Sequence, residues 1–309
     1  MVAHSFKRGI PVAAILAISC LLLFASSSRV LALSRFVFDA FENFTVDSPK
    51  NVCSADFNRD GIADLATDGP SISILLGIGD GTFKAMVRYV PDEDRDDYKS
   101  LIAADFNDDG ATDLAVLSHD YPYMLVIALS DGNGSFAPGI LIPTTGSASR
   151  PAQLALSDFN GDGNEDIALL YWPVSSAYWE VVSIFLSNGD GTFQPEIARN
   201  VSKDMELRDV RASDFDGDGN VDLALTDSYY QQVIVLLGRG DGTFREGELV
   251  SDLGGNPLDM ATADVDLDGD RDLAFIYEDS AYFYVLFNQG NGRFAGSYAC
   301  PTPTWNYSY

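Results

Sequence analysis

One acidic loop recurs five times along this chain, and a loop repeated at a fixed step constrains the fold more than any other feature of the sequence. The copies read "ADFNRDGIADLA" from Ala55, "ADFNDDGATDLAV" from Ala104, "SDFNGDGNEDIAL" from Ser157, "SDFDGDGNVDLAL" from Ser213 and "ADVDLDGDRDLAF" from Ala263. Their first carboxylates, Asp56, Asp105, Asp158, Asp214 and Asp264, are 49, 53, 56 and 50 residues apart. That step is the length of a four-stranded propeller blade.

Each unit has the same internal order. A short apolar run enters the acidic loop, a second leaves it, and a third β-rich run leads to a Gly-rich turn ending in Phe: "GDGTF" at 79–83, "GNGSF" at 132–136, "GDGTF" at 189–193 and 240–244, "GNGRF" at 290–294. Asp-Gly and Asn-Gly between β-rich runs are strong hairpin signals, because such turns need positive φ. The turn therefore joins a third strand to a fourth. No helical apolar period of useful length lies outside the N-terminal leader, so the expected class is all-β, a β-propeller of four-stranded blades with five repeats. Residues 36–46 look like the Phe-led segment that follows each turn, and are expected to close the ring against the last blade, near Phe294.

The loop chemistry is that of a hard-cation cage. In the third copy Asp158, Asn160, Asp162 and Asp166 stand at positions 1, 3, 5 and 9, Gly163 makes the sharp turn at position 6, and Asn164 at position 7 offers its backbone carbonyl. Oxygen donors at this spacing suit calcium. The same positions are Asp56, Asn58, Asp60, Ile62 and Asp64; Asp105, Asn107, Asp109, Ala111 and Asp113; Asp214, Asp216, Asp218, Asn220 and Asp222; and Asp264, Asp266, Asp268, Asp270 and Asp272. About five calcium ions are expected. An EF-hand is excluded, because its position-12 Glu is replaced by Thr67, Val116, Leu169, Leu225 and Phe275. Without a cation the crowded carboxylates would repel one another.

Charge and termini set the setting. The net charge of −27 repels phosphate backbones, which argues against nucleic-acid partners and for cations. Lys7 and Arg8 precede an apolar stretch from Ile10 to Ala25, followed by small and polar residues and "VLA" ending at Ala32. This is the order of a secretory signal peptide, so residues 1–32 are expected to be a leader, 33–309 the propeller, and the location secreted or at the cell surface. No other segment is long and apolar enough to span a membrane. Past the leader only Cys53 and Cys300 remain, so a disulfide between them is expected in an oxidising compartment.

"DFNGDGNEDIAL" followed by "NGDGTF" resembles the FG-GAP or VCBS-type repeat, over about residues 50–296. The resemblance implies a calcium-binding β-propeller like that of integrin α-subunit heads, with the calcium loops between the first and second strands on the lower face and partners on the upper. Many relatives have seven blades, and five repeats depart from that number.

The upper connections carry "HDYPY" at 119–123, "YWPVSSAYW" at 171–179, "DSYY" at 227–230 and "EDSAYFY" at 278–284. Exposed Tyr and Trp suit glycan or protein recognition, and Tyr121, Trp172, Trp179 and Tyr230 are the candidate ligand residues. Past the leader His119 is the one histidine, so a catalytic triad or multi-histidine centre is not expected. The reading is a recognition or adhesion module for a glycan or cell-surface protein. Its rivals are a lyase-like polysaccharide-degrading enzyme, for which Arg150 in "SRPAQ" is the one hint, and a structural, oligomerising unit.

Overall fold

The computed structural model describes residues 46, 49–144, 149–173, 180–202, 206–250, 253–277 and 282–301. These residues form strands, turns and bends with no helix among them, arranged as five four-stranded antiparallel sheets. Sheet 1 is β1 (Val52–Ala55), β2 (Asp64–Thr67), β3 (Ile72–Leu75) and β4 (Val87–Tyr89), and sheet 2 is β5 (Tyr98–Ala104), β6 (Asp113–Ser118), β7 (Met124–Ala128) and β8 (Ile140–Pro143). Sheet 3 is β9 (Ser149–Ser157), β10 (Asp166–Pro173), β11 (Glu180–Phe185) and β12 (Ile197–Ser202). Sheet 4 is β13 (Leu207–Ser213), β14 (Asp222–Asp227), β15 (Gln232–Gly238) and β16 (Phe244–Val250). Sheet 5 is β17 (Pro257–Ala263), β18 (Asp272–Tyr277), β19 (Tyr282–Asn288) and β20 (Phe294–Pro301).

In every sheet the strands pair in chain order, so each repeat is one meander. The second strand of each is an apolar run buried on both faces, such as "DLAVLS" in β6 and "DLALTD" in β14. Its alternate residues serve two neighbours. Leu169, Leu225 and Phe275 point to the preceding sheet, while Ala66, Ala115, Ala168 and Ala224 point to the following one. Four hydrophobic clusters result, at the seams between sheets 1 and 2, 2 and 3, 3 and 4, and 4 and 5. The first strands of consecutive sheets lie against one another along this series.

A second, polar device repeats at the same seams. The second Gly of the turn in sheets 2 to 5 donates its N–H to the position-2 carbonyl of the preceding sheet's acidic loop: Gly134 to Phe57 at 3.0 Å, Gly191 to Phe106 at 2.8 Å, Gly242 to Phe159 at 3.1 Å and Gly292 to Phe215 at 2.8 Å. The Phe ending the turn meets the same residue's ring, in the pairs Phe57–Phe136, Phe106–Phe193, Phe159–Phe244 and Phe215–Phe294, with centroids 5.6 to 5.9 Å apart. The seam of sheets 4 and 5 adds a charged tie near its inner edge. Arg211 bridges Asp209 at 2.7 Å and Asp259 at 2.9 Å, and Asp209 also accepts the Met260 N–H at 2.8 Å.

Two expectations meet this architecture differently. Cys53 is a free thiol on innermost β1, packed beside the cluster between sheets 1 and 2, and burial pushes it up to about 12. The expected bridge to Cys300 does not form here, because Cys300 belongs to outermost β20 of the fifth sheet. The ring-closing segment at 36–46 lies outside the described residues except for Val46, as does the leader.

Candidate functional site

Each acidic loop joins the first strand of its sheet to the second, so all five share one rim of the sheet series. The backbone winds around the position-1 carboxylate. In the third loop Asp158 accepts N–H groups from Gly161 at 2.7 Å, Asp162 at 3.2 Å and Gly163 at 2.9 Å. Gly163 has φ of +90°, and its counterparts Gly61, Gly110, Gly219 and Gly269 are likewise left-handed, a conformation in which Gly carries no side-chain penalty. The position-5 carboxylate accepts the N–H two residues on, as in Asp162 from Asn164 at 2.8 Å. That bond holds the Asp162 carboxyl below its usual range.

The position-9 residue has a different place. Asp64, Asp113, Asp166, Asp222 and Asp272 are fully buried, and both oxygens of each accept backbone N–H groups. One donor is position 2 of the same loop, Phe57, Phe106, Phe159, Phe215 or Val265, and the other begins the Gly-rich turn, Gly77, Ser130, Ser187, Gly238 or Asn288, at 2.7 to 3.0 Å. This Asp pins the loop to the turn after the third strand. Burial pushes Asp113, Asp166 and Asp222 up to about 6 against those hydrogen bonds, and raises Asp272 as well.

The donor set fits a hard cation. In the fourth loop Asp214, Asp216 and Asp218, and in the fifth Asp264, Asp266 and Asp268, bring carboxylate oxygens within 4.8 Å of one another. A carboxylate oxygen that accepts one N–H keeps a second lone pair, so the backbone bonds leave ligand capacity in the cage. Loops 1 to 3 carry Asn58, Asn107 and Asn160 at position 3 instead. In loops 2 and 3 the amide lies over the position-5 carboxylate, Asn107 Nδ2 donating to Asp109 at 3.0 Å and Asn160 Nδ2 to Asp162 at 2.8 Å. Cations of the protein reach two cages. Arg59 spans the first seam to Asp109 at 2.9 Å, and Arg245 reaches Asp216 at 2.9 Å. The backbone carbonyls of Ile62, Ala111, Asn164, Asn220 and Asp270 stand at position 7, on the same turns.

Strand alternation puts the connections from second to third strand, and from fourth strand to the next sheet, on the opposite rim. Tyr121 is 73 % exposed there and stands edge-on to Tyr123, with centroids 5.9 Å apart. The loop beneath them is held by Arg95, which pairs with Asp92 at 3.0 Å and donates to Ser118 Oγ, Asp120 O and Pro122 O at 2.8 to 2.9 Å. Asp120 in turn accepts the N–H groups of Asp96 and Asp97. In sheet 4 the exposed rings of Tyr229 and Tyr230 meet edge to face at 4.8 Å. Buried Asp227 fixes that turn by accepting from Tyr229 N at 3.0 Å, Tyr230 N at 3.3 Å and Gln232 Nε2 at 2.8 Å.

Of the sequence-derived ligand candidates, Tyr121 and Tyr230 are thus exposed on one rim. Trp179 lies outside the described residues, and Trp172 is described only as a backbone position on β10, paired with Arg150. His119 sits beside Lys99 Nζ at 2.8 Å and Asp97 Oδ2 at 3.0 Å, between strands of sheet 2. Arg95 and Asp227 carry the presentation of the tyrosines and were not singled out by sequence. Their one signal is a lone Arg inside the acidic run "PDEDRDDY" and an Asp just before "SYY".

The family model of the FG-GAP-like repeat matches residues 56–116, 105–169, 158–225 and 214–275, each match running from one acidic loop through the next. No curated protein matches the chain. Among solved structures, a lectin of Agrocybe aegerita described for recognition of non-reducing terminal N-acetylglucosamine is 17 % identical, with a TM-score of 0.46 over 83 % of this chain and 81 % of that one. The Photorhabdus luminescens Tc holotoxin pore is also 17 % identical, with a TM-score of 0.47 over 84 % of this chain. The match takes in 12 % of that toxin chain.

Proposed function

This chain belongs to the FG-GAP-like repeat family, and on that premise we propose that it is a secreted or surface-displayed, calcium-stabilised β-propeller that recognises a glycan or a cell-surface protein through its tyrosine-bearing rim. The observation that carries the recognition reading is the mounting of Tyr121 with Tyr123 and of Tyr229 with Tyr230. Exposed Tyr121, beside half-buried Tyr123, and the exposed pair Tyr229 and Tyr230 are held on loops whose backbone is tied by Arg95 and by buried Asp227. A rim fixed before binding loses little entropy when a ligand arrives, and aromatic rings offer both apolar faces and polar edges.

In the acidic loops the ligands are the side chains at positions 1, 3, 5 and 9 with the carbonyl at position 7, for example Asp214, Asp216, Asp218, Asp222 and Asn220. Bound calcium supplies positive charge that offsets the clustered carboxylates and locks each loop against its turn. The protein's own part is to hold position 1 with backbone N–H groups and to bury position 9. A domain stiffened along one rim then keeps the other rim in shape.

A binding screen against glycans and surface proteins in millimolar calcium tests the reading, with Tyr121→Ala and Tyr230→Ala as paired variants. Binding that falls at least about tenfold in one variant, with an unchanged melting temperature, is the expected result. Turnover of an acidic polysaccharide by the unmodified protein would instead favour the enzyme reading.

A further inference from the structure

In four of the five sheets, the side chain at position 7 of the acidic loop lies against the first Gly of the same sheet's turn. Ile62 meets Gly79, Asn164 meets Gly189, Asn220 meets Gly240 and Asp270 meets Gly290. The second loop has Ala111 at that position, and the side chain on Gly132 is instead Arg59 from position 4 of the first loop. The fit is close, since a Cβ at Gly132 would stand 2.8 Å from both Cζ and Nε of Arg59. A short residue in one loop and a glycine in the turn thus make room for a guanidinium that crosses the seam.

Once there, Arg59 occupies ligand capacity. It donates to the backbone oxygens of Asp109 and Gly110 at 2.9 and 3.1 Å and to Asp109 Oδ1 at 2.9 Å. Asp109 Oδ1 also accepts the Ala111 N–H at 2.7 Å, and Oδ2 accepts Asn107 Nδ2 at 3.0 Å. Both lone pairs of Oδ1 are therefore taken by protein donors. Asp162, the counterpart in the third loop, has no cationic partner among the described residues. Arg245 makes a single contact, with Asp216 of a fourth loop that carries carboxylates at all of positions 1, 3, 5 and 9, whereas the second loop has three. We propose, resting on the calcium reading of the acidic loops, that Arg59 is a tethered cation competing for the second loop, which makes that loop a weaker calcium site than the third and couples its filling to the first seam. A divalent ion using Asp109 must share the carboxylate with a fixed positive charge or displace it, and either weakens binding. Displacement frees Arg59, which stands between Asn58 and Asp60 of the first loop, so the two loops respond together.

Calorimetric calcium titrations of the full chain, of Arg59→Gln, of Asp109→Asn and of the double variant test this. The pair is half exposed, so Arg59→Gln should tighten one site by about three- to tenfold, and the gain should vanish when Asp109→Asn is added. Melts supply a second readout. In chelator Arg59→Gln should melt lower than the unmodified protein, and saturating calcium should narrow the gap, whereas a purely structural tie would lower both melts alike. Calcium binding of equal affinity with and without Arg59, a gain that survives Asp109→Asn, or an equal loss in both melts overturns the proposal and leaves the calcium reading standing. No calcium binding by any of the four proteins overturns that reading, and the proposal with it.

Discussion

The ring of Phe159 meets that of Phe244 at 71°, with centroids 5.9 Å apart, across the seam between sheets 3 and 4. Phe159 stands at position 2 of the acidic loop of one sheet and Phe244 ends the turn of the next, so the contact joins the rims of two repeats. Phe159→Ala should cost about 3–5 kcal/mol, as buried aromatic truncations do, and Phe159→Leu clearly less. Urea unfolding at fixed calcium measures both. Equal, small losses would mean that the seam is held by the apolar strands alone.

Positions 5 and 9 of one loop should respond differently to the same change. Asp162 lies on the exposed rim, whereas both oxygens of Asp166 accept backbone N–H groups in the interior. Asp166→Asn turns an amide NH2 toward a buried donor and should cost about 1–3 kcal/mol even in excess chelator. Asp162→Asn should cost little in chelator and reduce only the stability added by calcium. Parallel melts of the two variants, with and without chelator, separate the roles, and identical behaviour would remove the distinction.

Backbone strain identifies a stabilising substitution. Leu267 is exposed at position 4 of the fifth loop with φ of +64°, where Gly161 and Gly217 adopt +74°. A left-handed non-Gly residue costs roughly 1–2 kcal/mol, partly offset by the greater freedom of Gly in the unfolded chain. Leu267→Gly should therefore raise stability by about 0.5–1 kcal/mol. A lower melting temperature would show that the Leu side chain makes a contact worth more than the strain.

Much of this was legible because it is local. Loop positions 1 to 9, the Gly-rich turn and the four-strand repeat follow from spacing within a few residues, and the strands fall where the apolar runs place them. The Phe pairs did not show, although both Phe residues stand in every motif but the fifth loop: periodicity within one repeat says nothing of which residue of the next it will touch. For the same reason Asp209, Arg211 and Asp259 read as ordinary strand charges, yet they meet across a seam. The second role of Asp166, as acceptor for two backbone groups, was hidden behind its ligand-like spacing.

Asp209 also sets a pH dependence. Burial, with Asp259 close by, raises its carboxyl despite the attraction of Arg211. The folded protein then keeps a proton that the unfolded chain has already lost above the ordinary carboxylate range, so stability falls as pH rises from about 4 toward the raised value. In chelator, the unmodified protein should melt lower at about pH 8 than at about pH 5.5, and Asp209→Asn should shrink that difference. A pH dependence of unchanged size in the variant would assign it to the loop carboxylates alone.

The most direct test of the account is the melting temperature of the protein in millimolar calcium against excess chelator, read together with the metal content of protein prepared without chelator. Each cage filled at a hundredfold above its dissociation constant adds about 2.7 kcal/mol to the folded state, and several filled cages match the whole net stability of an ordinary domain. The expected result is a large fall in melting temperature on chelation, restored by calcium and poorly by magnesium, with calcium found in the untreated protein. An unchanged melting temperature, or protein free of calcium, would contradict the assignment of Asp158, Asn160, Asp162, Asp166 and their counterparts as metal ligands.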